Sequence, residues 1–119
     1  MTRTAIIAAS LASIALTTPA MALHAQRAVS YEEELARREQ GVIMTHPIAG
    51  RDNNLWHDYQ TDVAEARQEL RKDLDDVSDS EDRRDAWEEY RSELADARYD
   101  YVKEMKEKGY RVGQVRLEP

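Results

Sequence analysis

This chain contains no cysteine and no phenylalanine, and only four glycines and three prolines among 119 residues. Without cysteine there is no disulfide framework, no thiolate nucleophile or zinc ligand, and no attachment point for a bacterial lipid anchor. Without phenylalanine, two tryptophans and six tyrosines must carry the aromatic burial. Glycine and proline are absent from the whole of Asn54 to Lys108, so neither of the two strongest helix breakers interrupts that stretch. Basic residues are also short, 17 Lys and Arg against 24 Asp and Glu, for a formal charge of −7. That balance argues against nucleic acid and anionic membrane as partners. It suits cationic peptides, basic protein patches or a weakly held divalent cation.

Chemistry-bearing motifs are equally scarce. There is no Gly-x-Ser-x-Gly turn, and the three histidines, His24, His46 and His57, are scattered without a second ligand one turn away. Zinc sites cluster their nitrogen and sulfur ligands. The chain reads as non-enzymatic and without a cofactor.

The start of the chain has the marks of a targeting segment. Met1-Thr2-Arg3 is a short positive start, Ala5 to Leu16 is apolar, Thr17-Thr18-Pro19 breaks the run, and Ala20-Met21-Ala22 is a small-x-small cleavage site. The pattern predicts a secretory signal peptide over residues 1–22, cleaved near Ala22, and hence a periplasmic or secreted protein that leaves the membrane. The rival reading is an uncleaved anchor, for which the run is short. Residues 1–22 hold one base and no acid, so the remainder has 16 bases against 24 acids, a formal charge of −8.

What the chain does have is a stretch written twice. Trp56, Tyr59, Ala64, Ala66, Arg67 and Lys72 recur as Trp87, Tyr90, Ala95, Ala97, Arg98 and Lys103, at an offset of 31. Asp62/Glu93, Glu65/Asp96 and Glu69/Asp100 are among the conservative differences. This reads as a tandem duplication of one helix. Two copies are too few for a solenoid. In each copy the apolar residues step by 3 and 4, through Trp56, Tyr59, Val63, Ala66, Leu70 and Leu74, then through Trp87, Tyr90, Leu94, Ala97, Tyr101 and Met105. That spacing lies on one helix face, close to a coiled-coil seam.

Helices are predicted over about 54–77 and 80–108. Between them, Asp75 to Asp82 is rich in residues that compete for backbone hydrogen bonds, and Ser78 with Glu81 reads as a capping box. A short link makes the helices antiparallel neighbours. If the turn lies near Ser80, facing residues have numbers summing to about 160. The seam then pairs Leu70 with Tyr90, Ala66 with Leu94, Val63 with Ala97, Tyr59 with Tyr101 and Trp56 with Met105.

Residues 23–54 are predicted to hold a short helix over about 30–40 and a connector. Ser30 with Glu33 is a second capping box, Gly41 marks the end, and Asp52 or Asn53 is placed to cap the next helix. Gly109 ends the hairpin, and 109–119 is a tail. A two-helix hairpin is a thin core that needs another layer, and Ala95, Tyr99 and Val102 make a flanking strip that calls for a cover. The expected fold is therefore all-α: a duplicated antiparallel hairpin, extended to a three-helix bundle by the N-terminal helix or to a four-helix bundle by dimerisation, with dimerisation the first choice.

Two surfaces are candidates for function. The turn offers Asp75, Asp76, Asp79 and Asp82 as oxygen ligands for a cation, although the EF-hand pattern is not met. Its ordinary reading is a solvated turn whose acids favour a helix N-terminus. Trp56, Tyr59, Trp87, Tyr90, Tyr99 and Val102 could form an interaction face, although aromatics at helical spacing usually make core. The expectation is an exported interaction or structural module binding itself or another exported protein. The alternatives are an acidic cation-binding protein using the 73–85 turn and a small periplasmic chaperone-like protein.

Overall fold

The computed structural model describes residues 28–113. The expected signal peptide and cleavage site, and the end of the tail from 114, lie outside the described residues. Within them the fold is all-α. Helix α1 spans Tyr31–Gln40, a single 3-10 turn spans Ile48–Gly50, α2 spans Asn54–Asp75 and α3 spans Ser80–Glu107. No described helix is long and apolar enough to cross a membrane.

Each helix begins where a side chain can take an otherwise unpaired N–H. Ser30 accepts from Glu33 N–H, and Asn53 accepts from Trp56 N–H at 3.0 Å. At α3 the cap is Asp79 rather than Ser78. Its carboxylate accepts from Asp82 N–H at 2.8 Å, while Ser78 donates its hydroxyl to Asp82 at 2.6 Å. A carboxylate cap also gains from the positive end of the helix dipole, which a hydroxyl does not. At the other end, Gly109 adopts φ +85. There Tyr110 N–H reaches Met105 C=O and Gly109 N–H reaches Lys106 C=O. This left-handed cap satisfies two carbonyls and folds Tyr110 back toward the core.

α2 and α3 form the antiparallel hairpin. The register matches the arithmetic above: Tyr59 stacks on Tyr101 with centroids 5.1 Å apart, and Asn53 Nδ2 lies 3.5 Å from Met105 Sδ. Trp56 packs on both tyrosines, 5.8 and 5.9 Å away. Val63, Ala66, Leu94 and Ala97 are buried in the middle, where small residues bring the helices together.

The third layer comes from the same chain, and it has two parts. α1 runs parallel to α3, because contact partners rise together: Glu33 pairs with Arg83 at 3.6 Å, the Arg37 guanidinium sits 5.4 Å from the Trp87 ring, and Glu39 pairs with Arg98 at 2.8 Å. Burying a Trp ring of about 200 Å² contributes roughly 5 kcal/mol. That exceeds the roughly 1–3 kcal/mol cost of its Nε1, which is buried without a hydrogen-bond partner. Past Gln40 the connector continues along the far half of the hairpin. Met44 N–H donates to the Tyr59 hydroxyl and Ile48 N–H to the Tyr101 hydroxyl, both at 2.9 Å. Ile48 is buried, and the chain then turns through Ala49 at φ 53. A left-handed alanine costs roughly 1–2 kcal/mol; the pinned Ile48 holds it there.

The flanking strip does not behave as one unit. Val102 is 2% exposed, Ala95 is half-buried, and Tyr99 is 58% exposed.

Candidate functional site

The aromatic interaction face is core. Trp56, Tyr59, Trp87, Tyr90 and Val102 are all buried within this one chain, and of the six proposed residues only Tyr99 is open. The physical reason is the two-part third layer, which covers the hairpin over both halves. Burial raises the pKa of Tyr59 and Tyr101, against the lowering effect of the amides that donate to their hydroxyls.

The acidic turn is a capping device. Asp76 closes α2, Asp79 caps α3, and Asp82 accepts from Ser78. Asp75, Asp76, Asp79 and Asp82 are all exposed. None of them belongs to the carboxylate trio that the described residues bring together, which is Glu69, Glu89 and Glu93, with oxygens mutually within 4.8 Å. His57 pairs with Asp52, and His46 with Thr45; neither joins a cluster.

The trio lies at one end of a groove that the sequence reading passed over. Between α2 and α3, Asp62, Glu65 and Glu69 face Glu93, Asp96 and Asp100 across a floor of Ala66 and Ala97. Only carboxylates and alanines line it. The three acids of α2 recur in α3 at the 31-residue offset, spaced i, i+3, i+7. An antiparallel hairpin then turns the repeated stripe onto itself. The pairs 62/100, 65/96 and 69/93 obey the same register as the aromatic seam. The alanines of the floor let the two rows approach.

Two of these acids are perturbed by their surroundings. Glu93 is half-buried, and its pKa is pushed up to about 7. Burial is the largest cause, followed by the charge of Glu69, a hydrogen bond with Glu69, and the charges of Glu89 and Asp73. Asp62 is also raised, by burial first and then by Glu65, Asp58 and Asp100. The groove thus holds negative charge under mutual repulsion, and any cation placed in it relieves that repulsion.

Compared with protein-family models, curated proteins and solved structures, the chain matches none.

Proposed function

We propose that this is an exported, non-enzymatic helical interaction module that binds a basic segment of another exported protein along the α2–α3 groove. One observation carries the reading: six carboxylates from two helices line the groove, and no base does. A second acidic copy of the chain is a poor electrostatic match for that surface. The large apolar side chains exposed among the described residues are Val29, Tyr31, Val42 and Tyr99, which supports binding by charge more than shielding of unfolded chains. Export is inferred from the signal-like pattern of residues 1–22.

The test is fluorescence anisotropy with a labelled oligo-lysine peptide at low and raised salt. Neutralising the groove (Asp62→Asn, Glu65→Gln, Asp96→Asn, Asp100→Asn) is expected to weaken binding at least roughly tenfold, equivalent to about 1.4 kcal/mol. The charge-matched turn variant (Asp75, Asp76, Asp79 and Asp82, each to Asn) is expected to bind nearly as well as wild type, since Asn still caps. Equal losses in both variants would mean that net charge alone attracts the peptide, and the groove reading would fall.

The spacing of Glu69, Glu89 and Glu93 favours a second reading, a divalent cation held at that end. A calcium titration followed by thermal unfolding decides it. The second reading requires a rise in Tm that Glu89→Gln removes.

A further inference from the structure

α1 is fastened to the hairpin unevenly along its length. At its C-terminal end, Glu39 pairs with Arg98 at 2.8 Å, and the two side chains are only 14% and 9% exposed. The connector that follows is pinned through the amides of Met44 and Ile48, which donate to the Tyr59 and Tyr101 hydroxyls. Toward the N-terminal end the ion pair to α3 is Glu33–Arg83. It is longer, 3.6 Å, and the Arg83 side chain is 46% exposed. Arg37 of the same helix shares the Glu33 carboxylate, at 2.7 Å. Apolar grip is slight: the buried residues of α1 are Glu33 and Ala36, Leu35 is half-buried, and Tyr31 is exposed.

This part of α1 lies over Trp87. The ring is buried, with the Arg37 guanidinium 5.4 Å from its centroid. Its Nε1–H has no acceptor. The closed position therefore holds a donor unsatisfied that water would satisfy on opening. A helix of ten residues is too short to persist off its support, so release and unfolding of its turns are one event. The hairpin keeps a seam of its own, with Tyr59 stacked on Tyr101 and Val63, Ala66, Leu94 and Ala97 buried.

We propose that the N-terminal part of α1 is a strap, latched to α3 through Glu33 and Arg83, that opens while the hairpin and connector stay folded and so uncovers Trp87. The basis is the gradient of attachment. Opening breaks a half-exposed ion pair and the contacts of Ala36 and Arg37. It leaves in place the Glu39–Arg98 pair and both bonds to the tyrosine hydroxyls. A segment with few buried apolar contacts opens at less cost than the whole fold. The strap does not rest on the basic partner proposed above, because α1 lines no part of the α2–α3 groove.

The experiment is hydrogen exchange by NMR on the full chain, read at backbone amides and at the Trp87 indole. The indole N–H is the reporter: with no acceptor, its protection comes from the cover alone. In wild type, this indole and the amides of Glu34 to Arg37 are expected to open together. They should do so at least about tenfold more often than the amides of Met44, Ile48 and the seam, each rate taken relative to its unprotected value. Glu33→Gln is expected to raise opening of the strap a further three- to fivefold or so, the scale of a half-exposed ion pair. Glu34→Gln removes the same charge from the same helix, but Glu34 pairs only along α1, with Arg38. It is expected to leave the Trp87 indole nearly unchanged. A Trp87 indole that exchanges as rarely as the seam amides would overturn the strap. Equal effects of the two variants on that indole would overturn the latch. Should Glu33→Gln not fold, Arg83→Gln removes the same contact from the α3 side and is read in the same way.

Discussion

Arg98→Met is expected to destabilise the protein by about 3 kcal/mol, measured by urea unfolding, and the double variant Arg98→Met/Glu39→Met to recover at least half of that loss. Arg98 on α3 and Glu39 on α1 pair at 2.8 Å with side chains only 9% and 14% exposed. Attraction between two such charges roughly cancels the cost of desolvating them, so the pair as a whole contributes little. Removing one partner is different, because the other charge stays in a site that water barely reaches. That cost is roughly 3–5 kcal/mol for fully buried pairs, and the residual access of Glu39 to solvent places this case at the low end. Removing both leaves two apolar side chains at a helix–helix contact. Equal loss in the single and double variants would show that Arg98 acts through its packing alone. In a domain this small such a loss is a large share of total stability.

Tyr101→Ala is expected to cost roughly 3–5 kcal/mol, as truncation of a buried aromatic does. Tyr101 stacks on Tyr59 at 5.1 Å and touches Trp56, so the alanine leaves a hole at the centre of the upper core. Its hydroxyl does a separate job, accepting the N–H of Ile48 from the connector. Tyr101→Phe keeps the ring and deletes that acceptor, leaving a buried N–H unsatisfied at a cost of about 1–3 kcal/mol. Hydrogen exchange at the Ile48 amide separates the two effects. In the Phe variant this amide is expected to exchange much faster while the amides of the hairpin change less. A Phe variant as stable as wild type, with Ile48 still protected, would mean that the connector is held by the Ile48 side chain rather than by the tyrosine.

Legibility differed from one part of the molecule to the next. The seam could be read because heptad-like spacing depends only on the helix period. A short link leaves one antiparallel register, and the Tyr59–Tyr101 stack lies in it. Ser30, Asn53 and Gly109 could be read because capping is a matter of a few neighbouring residues. Asp79 was missed in favour of Ser78 because adjacent residues both offered an oxygen, and only the backbone geometry chooses between them. The helix dipole, which favours the carboxylate, was the available signal.

The acidic groove was half-legible. Its six residues sit at repeated positions in plain view, but each stripe taken alone is an ordinary solvated helix face. Applying the summed-number rule to the acids as well as to the aromatics would have brought them together. The rise in the Glu93 pKa could not be read in this way, because it needs the burial and the distances to Glu69, Glu89 and Asp73 that packing supplies.

The sequence by itself determined the all-helical class, the hairpin and its register, because these follow from periodicity, the absence of breakers and the length of one link. Tertiary structure alone decided what covers the hairpin. α1 and the connector lie over its apolar surface, and periodicity within α2 and α3 does not say which residues outside them will do so. The deciding contacts are a hydroxyl on Tyr59, a hydroxyl on Tyr101 and the Arg98–Glu39 pair, which join residues 15, 53 and 59 positions apart. Such long-range pairings leave no local pattern, and they turned an expected aromatic recognition face into the core.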